Sequence, residues 1–154
     1  MSVEIERKFL VAAGGWRALA AEGRHIRQGY LMVGPVQVRI RRSGEAAYLT
    51  IKGPRSGISR PEFEYEIPAD EAEAMFALCL HSPIDKTRYE VENAGHVWEI
   101  DVYGGRHAGL VIAEVELDDI DEAFSLPDWI GPEVSGDRRY SNAVLAGVDA
   151  PPAP

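Results

Sequence analysis

Two pairs of glutamates, each pair spaced by one residue, are the first pattern in the chain that suggests chemistry: Glu4 and Glu6, followed by Lys8, and far downstream Glu114 and Glu116. On a β-strand, residues two apart share one face, so each pair aims two carboxylates at the same point. Close carboxylates repel one another unless a cation lies between them, and hard divalent ions prefer oxygen ligands. The pairs therefore predict a site for Mg²⁺ or Mn²⁺, although a single Glu-x-Glu pair is also common on a solvent-exposed strand.

The same alternation continues along the chain, with charged residues at every second position of segments whose other residues are mostly apolar. These charged positions are Arg39, Arg41, Lys52, Glu62, Glu64, Glu66, Lys86, Arg88, Glu99 and Asp101. Cations and acids fall in separate blocks, whereas an ordinary solvent-facing sheet carries a mixture. A closed barrel that encloses the charged face as a water-filled tunnel accounts for this pattern. Such a lining fits a polyanion with a divalent metal, because cations bind phosphate oxygens and acids hold the ion.

Short strands and a few helices are predicted to position these side chains. We expect strands at residues 3–11, 27–33, 36–42, 47–53, 61–67, 86–92, 96–103 and 110–117, and helices at 70–80, 119–124 and 137–145. Turn residues such as Gly34-Pro35 and Asn93-Ala94-Gly95 separate neighbouring strands. The predicted fold class is α+β and mainly β, a sandwich or barrel with helices packed outside.

Composition limits the class of protein. The 154 residues predict one domain over 1–148 and a disordered or extended Pro-rich tail over 149–154. A net charge of −9 argues against nucleic-acid and anionic-membrane surfaces. A single cysteine, Cys79, excludes an intrachain disulfide and fits a reducing compartment. With no apolar run of membrane-spanning length and no signal-peptide pattern, we expect a cytoplasmic protein.

An ordered series of motifs resembles the CYTH superfamily, also called triphosphate tunnel metalloenzymes. The matching segments are Glu4-x-Glu6-x-Lys8, Gln28-Gly29-Tyr30, Val38-Arg39-Ile40-Arg41, Leu49-Thr50-Ile51-Lys52, Glu64-Tyr65-Glu66, Lys86-Thr87-Arg88-Tyr89, Glu99-Ile100-Asp101 and Glu114-Val115-Glu116. The resemblance covers most of the chain, and it implies a closed eight-stranded antiparallel barrel that binds a triphosphate group with Mg²⁺ or Mn²⁺. Within the family, the chain is most similar to the compact bacterial inorganic triphosphatases.

The resemblance also implies roles for individual residues. The implied metal ligands are Glu4, Glu6, Glu114 and Glu116. The implied substrate-binding residues are Lys8, Arg39, Arg41, Lys52, Lys86 and Arg88. Arg39, Arg41 and Lys86 are the catalytic candidates, and Lys86 either holds phosphate or helps to organise the attacking water. Three roles stay open for the remaining acids, which are to hold a second metal, to orient the cations or to balance charge. These acids are Glu64, Glu66, Glu99 and Asp101.

The expected reaction is metal-dependent hydrolysis of a triphosphate, foremost inorganic tripolyphosphate, to diphosphate and phosphate. No serine, cysteine or histidine stands out as a nucleophile with a positioned base, which favours direct transfer to water. Class IV adenylyl cyclase or thiamine triphosphatase activity in the same tunnel stays open, as does a noncatalytic polyphosphate- or nucleotide-binding module. The expected partner is a triphosphate-containing small molecule, with no nucleic acid or membrane, and a homodimer is left open.

Overall fold

Nine β-strands dominate the chain, which a computed structural model describes over residues 3–153. They are β1 (Val3–Val11), β2 (Arg24–Met32), β3 (Gln37–Ser43), β4 (Ala46–Lys52), β5 (Ser59–Ile67), β6 (Ile84–Asn93), β7 (His96–Tyr103), β8 (Val111–Glu116) and β9 (Ile130–Glu133). The α-helices within this range are α1 (Ala69–Phe76) and α2 (Asn142–Leu145), and 3₁₀ helices lie at Gly15–Leu19, Gly105–His107 and Arg138–Tyr140. Pro154, the last residue of the predicted tail, lies outside the described residues, and the domain boundary at 148 stays a prediction.

The first eight strands close into an antiparallel barrel, as predicted. Their order is β5-β4-β3-β2-β6-β7-β8-β1, and β1 pairs again with β5 through three residue pairs from Val3↔Pro61 to Ile5↔Ser59. β9, which the sequence did not predict, continues along the same edge of β1 with pairs at Phe9↔Glu133 and Val11↔Ile130. One edge of β1 is therefore shared between β5 and β9, while its other edge pairs with β8.

Strand register places the charged residues on the inner face. Residues directly opposite each other on paired strands project to the same side of a sheet. Glu6 pairs with Glu116 and Lys8 pairs with Glu114 across β1 and β8. Charged positions on other strands follow the same rule, because Arg88 pairs with Asp101. The alternation that marks each strand in the sequence thus becomes the difference between the interior and the exterior of the barrel.

Helical segments cover two parts of the apolar outer face. Trp98 and Val115 are fully buried in one cluster, beneath Trp16 of the first 3₁₀ helix and Trp129. Ile40 is fully buried in another, beneath Ala72 and Phe76 of α1. Gly29 lets the segment that follows α1 approach β2 closely, since a Cβ there would lie 2.7 Å from Cys79 Sγ.

The C-terminal segment 137–148, here called the plug, packs against one end of the barrel interior. Tyr140 and Leu145 of the plug share an apolar cluster with Ile84 and Tyr103, which belong to the inner faces of β6 and β7. The Tyr103 hydroxyl donates a hydrogen bond of 2.6 Å to Asn142 Oδ1. The interior is therefore charged in one part and apolar in the other, a division that the strand pattern alone did not predict.

All three predicted helices differ from the structure in extent or in kind. The segment predicted as a helix at 119–124 contains a turn at 120–121 followed by irregular chain. Asp119 Oδ1 accepts from the Asp121 amide at 2.8 Å, and Glu122 Oε1 accepts from the Asp118 amide at 2.6 Å. Such local side-chain bonds offer the backbone an alternative to a helix.

The helix predicted at 137–145 is split. Ser141 is extended, with φ −72° and ψ 139°, and its hydroxyl accepts from the Val144 amide at 3.2 Å, so it caps α2 and separates it from the 3₁₀ turn at Arg138–Tyr140. The helix predicted at 70–80 is present as α1 but ends at Phe76, and Pro68 is its N-cap. Within residues 3–153, no helix is both long and apolar enough to cross a bilayer.

Candidate active site in the barrel interior

The predicted site residues come from five strands and share the inner face of the barrel. They are Glu4, Glu6 and Lys8 on β1, Arg39 and Arg41 on β3, Lys52 on β4, Lys86 and Arg88 on β6, and Glu114 and Glu116 on β8. Lys86 is 1% exposed and Arg39 is 5% exposed, which is unusual for cations. Glu116 is exposed, so the site runs from the buried interior to solvent.

Three neighbouring strands, β3, β2 and β6, form a cationic wall. Arg41 on β3 donates from Nε to Gln28 Oε1 on β2 at 3.0 Å. Burial, followed by the nearby charges of Arg39 and Arg88, lowers the pKa of Arg41 to about 10. Cations held together in a buried place are unfavourable without an anion, so this wall is suited to a negatively charged ligand.

Three hydrogen-bond donors on this wall are buried without a hydrogen-bond partner among the described residues: Gln28 Nε2, Arg39 Nε and Lys86 Nζ. The Lys86 ammonium is ion-paired with Asp101 Oδ2 at 2.7 Å, and its remaining N–H groups have no acceptor among the described residues. Buried polar atoms are normally paired, so a group of unpaired donors calls for acceptors from elsewhere. Ionised phosphate oxygens are acceptors of this kind.

Asp101 is the fully buried anion that holds this wall together. Arg88 binds it with both Nε, at 2.8 Å, and Nη2, at 2.9 Å, and also reaches Glu99 at 3.1 Å. Burial alone would raise the pKa of Asp101, but Lys86 and Arg88 outweigh it and hold that pKa well below the usual range. These contacts favour an orienting role for Asp101 among the roles left open by the sequence.

Lys86 lies in an environment that disfavours its charged form. Burial is the largest influence on its ammonium, and the attraction of Asp101 only partly offsets it, so the pKa of Lys86 is lowered to about 7. A lysine with such a pKa exists partly as a neutral amine at physiological pH. It is therefore able to accept a proton, as the interpretation of Lys86 as an organiser of water requires.

The acids on β1 and β8 face the cationic wall. Glu114 lies 3.8 Å from Lys8 Nζ, and Lys8, with Arg88 and Lys86, overcomes the effect of burial to lower the pKa of Glu114 to about 2. Burial, followed by repulsion from Glu114 and Glu4, raises the pKa of Glu6 well above its ordinary value. Although Glu116 is exposed, partial removal of its carboxylate from water, followed by repulsion from Glu4, raises the pKa of Glu116. Ionisation of Glu6 and Glu116 is therefore unfavourable unless a cation binds beside them.

Lys52 bridges two of the strands that meet where the barrel closes. Its ammonium lies 3.0 Å from both carboxylate oxygens of Glu4 on β1 and 3.3 Å from Glu62 on β5. Burial raises the pKa of Glu4 even though Lys52 acts in the opposite direction. Glu4 is consequently held by a lysine in this arrangement.

Glu4, Glu6, Glu114 and Glu116 are the candidate ligands for a divalent ion. In residues 3–153, no three acidic, histidine or cysteine side chains converge closely enough to hold one metal. Glu4 is bound by Lys52, and Glu114 lies beside Lys8. The chemistry of the set still fits Mg²⁺ or Mn²⁺, because all of the donors are carboxylate oxygens and the pKa values of Glu4, Glu6 and Glu116 are raised.

Sequence reasoning missed several neutral residues of the interior. Gln28 is fully buried, and Thr50 donates from Oγ1 to Glu64 Oε2 at 2.9 Å while it accepts from Arg39 at 3.1 Å. The backbone oxygen of Tyr140 in the plug accepts from Lys8 Nζ at 3.2 Å. Period-two alternation marks Gln28 and Thr50 as inward-facing, but a search for charge overlooks them.

Two cavities on the outside of the barrel contain none of the predicted site residues. One, of about 430 Å³, lies beside Arg27, Arg42 and Glu73, where both arginines are already paired with Glu73. The other, of about 600 Å³, lies between α1 and the plug beside His81 and Arg106. The unpaired buried donors of the cationic wall therefore make the interior the candidate site.

Comparison with known proteins identifies the family of the chain. Residues 2–141 match the model of the CYTH domain. The chain is 47% identical over 147 residues to an inorganic triphosphatase of Acetivibrio thermocellus, covering 94% of each chain, and 37% identical over 148 residues to an inorganic triphosphatase of Nitrosomonas europaea, covering 93% and 96%. A crystal structure of the inorganic triphosphatase NE1496 superposes with a TM-score of 0.66 at 34% identity, over 92% of this chain and 96% of that one.

Proposed function

This chain belongs to the CYTH domain family, and from that premise we propose that it is a metal-dependent triphosphatase that hydrolyses inorganic tripolyphosphate to diphosphate and phosphate. Relatives at 47% and 37% identity carry the name inorganic triphosphatase, and the match extends over nearly their whole length. The enzyme class follows from these relatives, and the assignment of individual residues is part of the proposal.

The group of unpaired donors on the cationic wall is the observation that carries the proposal. Gln28, Arg39 and Lys86 each bury a donor without a hydrogen-bond partner in the described part of the chain. A linear triphosphate presents acceptors along its length, whereas a single small anion would satisfy only one part of the wall. Carboxylates on β1 and β8 lie across the interior from these donors. Together they form a site for an anion that binds with a divalent cation.

Each group of residues has a task in the proposed mechanism. Lys8, Arg39, Arg41, Lys52 and Arg88 bind and orient the phosphate chain, so that the terminal phosphorus faces water. Glu4, Glu6, Glu114 and Glu116 would hold Mg²⁺ or Mn²⁺, which when bound neutralises charge on the phosphate oxygens.

Lys86 acts on the water in this mechanism. With its pKa lowered to about 7, its neutral amine accepts a proton from the attacking water while Asp101 keeps it in place. The displaced diphosphate leaves with its charge balanced by the arginines. No covalent intermediate on the protein is required.

Phosphate release from tripolyphosphate, ATP and thiamine triphosphate, with and without Mg²⁺ or Mn²⁺, tests the proposal. We expect metal-dependent release of phosphate and diphosphate in equal amounts, fastest with tripolyphosphate. Cyclic AMP from ATP would identify a cyclase, and preference for thiamine triphosphate would identify a thiamine triphosphatase. Binding of all three without turnover would leave a noncatalytic module. A cytoplasmic location, a homodimer and the lack of nucleic-acid or membrane partners stay predictions.

A further inference from the structure

We propose that Gln28 is a substrate-binding residue, which donates from its side-chain amide to an oxygen of the phosphate chain while it positions Arg41. The inference rests on the proposed function. It assigns a role to a neutral residue in a site that otherwise consists of charged groups.

The orientation of the Gln28 amide is fixed by its neighbour. Gln28 lies on β2, opposite Arg41 on one side and Ile84 on the other. Arg41 Nε donates to the amide oxygen of Gln28 at 3.0 Å. A guanidinium has donors only, so the oxygen of the amide must face Arg41 and the nitrogen must face away from it.

The nitrogen of this amide has no hydrogen-bond partner among residues 3–153, although Gln28 is fully buried. An unpaired buried donor is unfavourable in the free protein, and that cost is regained when a ligand supplies an acceptor. Strand order places Gln28 between β3, which carries Arg39, and β6, which carries Lys86. Since both of those residues also bury an unpaired donor, one chain of phosphates can satisfy all three.

A primary amide suits this position better than a charged group. Another cation beside Arg41 and Lys86 would add repulsion in a buried place. A carboxylate would pair with Arg41 but repel phosphate. The amide accepts from the arginine with one atom and donates to the substrate with the other.

Gln28→Glu separates the two roles, because the substitution keeps the shape and the acceptor for Arg41 but removes the donor. If Gln28 binds phosphate, this variant should be at least as stable to heat as the wild type and yet lose roughly tenfold to a hundredfold in kcat/KM for tripolyphosphate, with KM raised, the scale of one hydrogen bond to a charged group. Gln28→Met, which adds no charge, should also raise KM. If Gln28 only positions Arg41, Gln28→Glu raises KM no more than the same charge does at Gln37, and the proposal is wrong.

Gln37 provides the matched control. It is the other glutamine of the chain, and it lies at the start of β3 opposite Lys52, where it is half-buried. Gln37→Glu adds the same charge as Gln28→Glu, and Gln37→Met makes the same change of shape as Gln28→Met. We expect both Gln37 variants to raise KM less than the corresponding Gln28 variants. Equal effects at the two positions would mean that interior charge alone matters and would overturn the specific contact.

A measurement on the wild-type protein avoids dependence on any variant. With ¹⁵N-glutamine labelling, only Gln28 and Gln37 contribute side-chain amide signals. Tripolyphosphate added with a metal chelator should shift the Gln28 amide protons downfield and slow their exchange with water. An unchanged Gln28 signal at saturation would refute the contact. Wild-type protein that binds tripolyphosphate through Gln28 without hydrolysing it would instead refute only the proposed activity.

Discussion

At the scale of single residues, Lys86 has two possible roles with opposite pH dependence. If its neutral amine accepts a proton from water, kcat/KM should rise as pH rises through about 7, where Lys86 loses its proton. If Lys86 serves only as a cation for phosphate, activity should fall over the same range. We expect the rise, and a pH profile of tripolyphosphate hydrolysis decides between the two.

Lys86→Arg is the control for this profile, because arginine keeps its charge throughout and the ionisation of the substrate is unchanged. The variant should lose the rising limb and about 10²- to 10⁴-fold in kcat, the usual contribution of a general base. A variant with wild-type turnover and the same rising limb would show that the limb belongs to the substrate.

Glu6 connects metal binding with stability. Because burial, Glu114 and Glu4 raise its pKa, ionised Glu6 opposes folding when no metal is bound. Glu6→Gln should therefore abolish metal-dependent turnover at limiting metal and raise the metal-free Tm by roughly 2–4 °C, the shift for about 1 kcal/mol in a domain of this size.

The sign of this stability change depends on pH. At acid pH both proteins carry a neutral side chain and should match. The difference should develop above the ordinary glutamate pKa, where the unfolded chain ionises first, and should be complete above the raised pKa. Scanning calorimetry with chelator at several pH values measures it, with Glu45→Gln in an exposed turn as the control. A lower Tm for Glu6→Gln at neutral pH would contradict the repulsion.

At the scale of elements, Arg106 connects the plug to the segment that precedes β6. Arg106 donates to the backbone oxygens of Ser82 at 2.8 Å, Pro83 at 3.2 Å, Ala146 at 2.9 Å and Val148 at 3.2 Å. Arg106→Gln should lower the free energy of unfolding by about 1–3 kcal/mol, since carbonyl groups are left unpaired. Urea denaturation measures this, and Arg139→Gln, which affects an exposed ion pair with Asp137, should change little. Equal losses in the two variants would show that the plug does not depend on Arg106.

The sequence predicted the strands well and the helical segments poorly, for a physical reason. Alternation with period two is imposed along every strand by a barrel that is charged inside and apolar outside, so β1 and β7 were located to the residue. The turn at 118–122 and the break at Ser141 depend on single side-chain hydrogen bonds, which leave no periodic signal. β9 has only four residues and was missed for lack of length.

The candidate site was predictable as far as charge marks it. Arg39, Lys86 and Glu114 were assigned to the interior from alternation and from the family resemblance, and register places them there. What the sequence lacks is the pairing within the site, such as Lys52 with Glu4. Those contacts depend on side-chain conformations in three dimensions.

At the scale of the whole molecule, the protein is an acidic chain that keeps a group of cations inside. Its net charge of −9 coexists with a buried wall of arginine and lysine, whose mutual repulsion weakens the free protein. Tripolyphosphate should relieve that repulsion and stabilise the fold. At about 100 times the dissociation constant, binding contributes about 2.7 kcal/mol, or a rise in Tm of roughly 5–10 °C.

Thermal unfolding with chelator present measures this rise without turnover. Sulfate at matched ionic strength is the control, because it carries acceptors but cannot span the wall. Equal shifts from sulfate and tripolyphosphate would mean that the interior responds to ionic strength and does not recognise a phosphate chain.

The junction between β1 and β5 has a consequence for motion. It is the shortest ladder in the closed barrel, with three residue pairs, and Glu4 on β1 is ion-paired with Lys52 on β4, the strand beyond β5. Strands joined by few hydrogen bonds separate more often than strands joined by many, so this is where the closed barrel should open first. A ligand that binds both Glu4 and Lys52 would hold the two sides of the junction together. We therefore expect β1 and β5 to separate transiently in the free enzyme and to stay paired when substrate is bound.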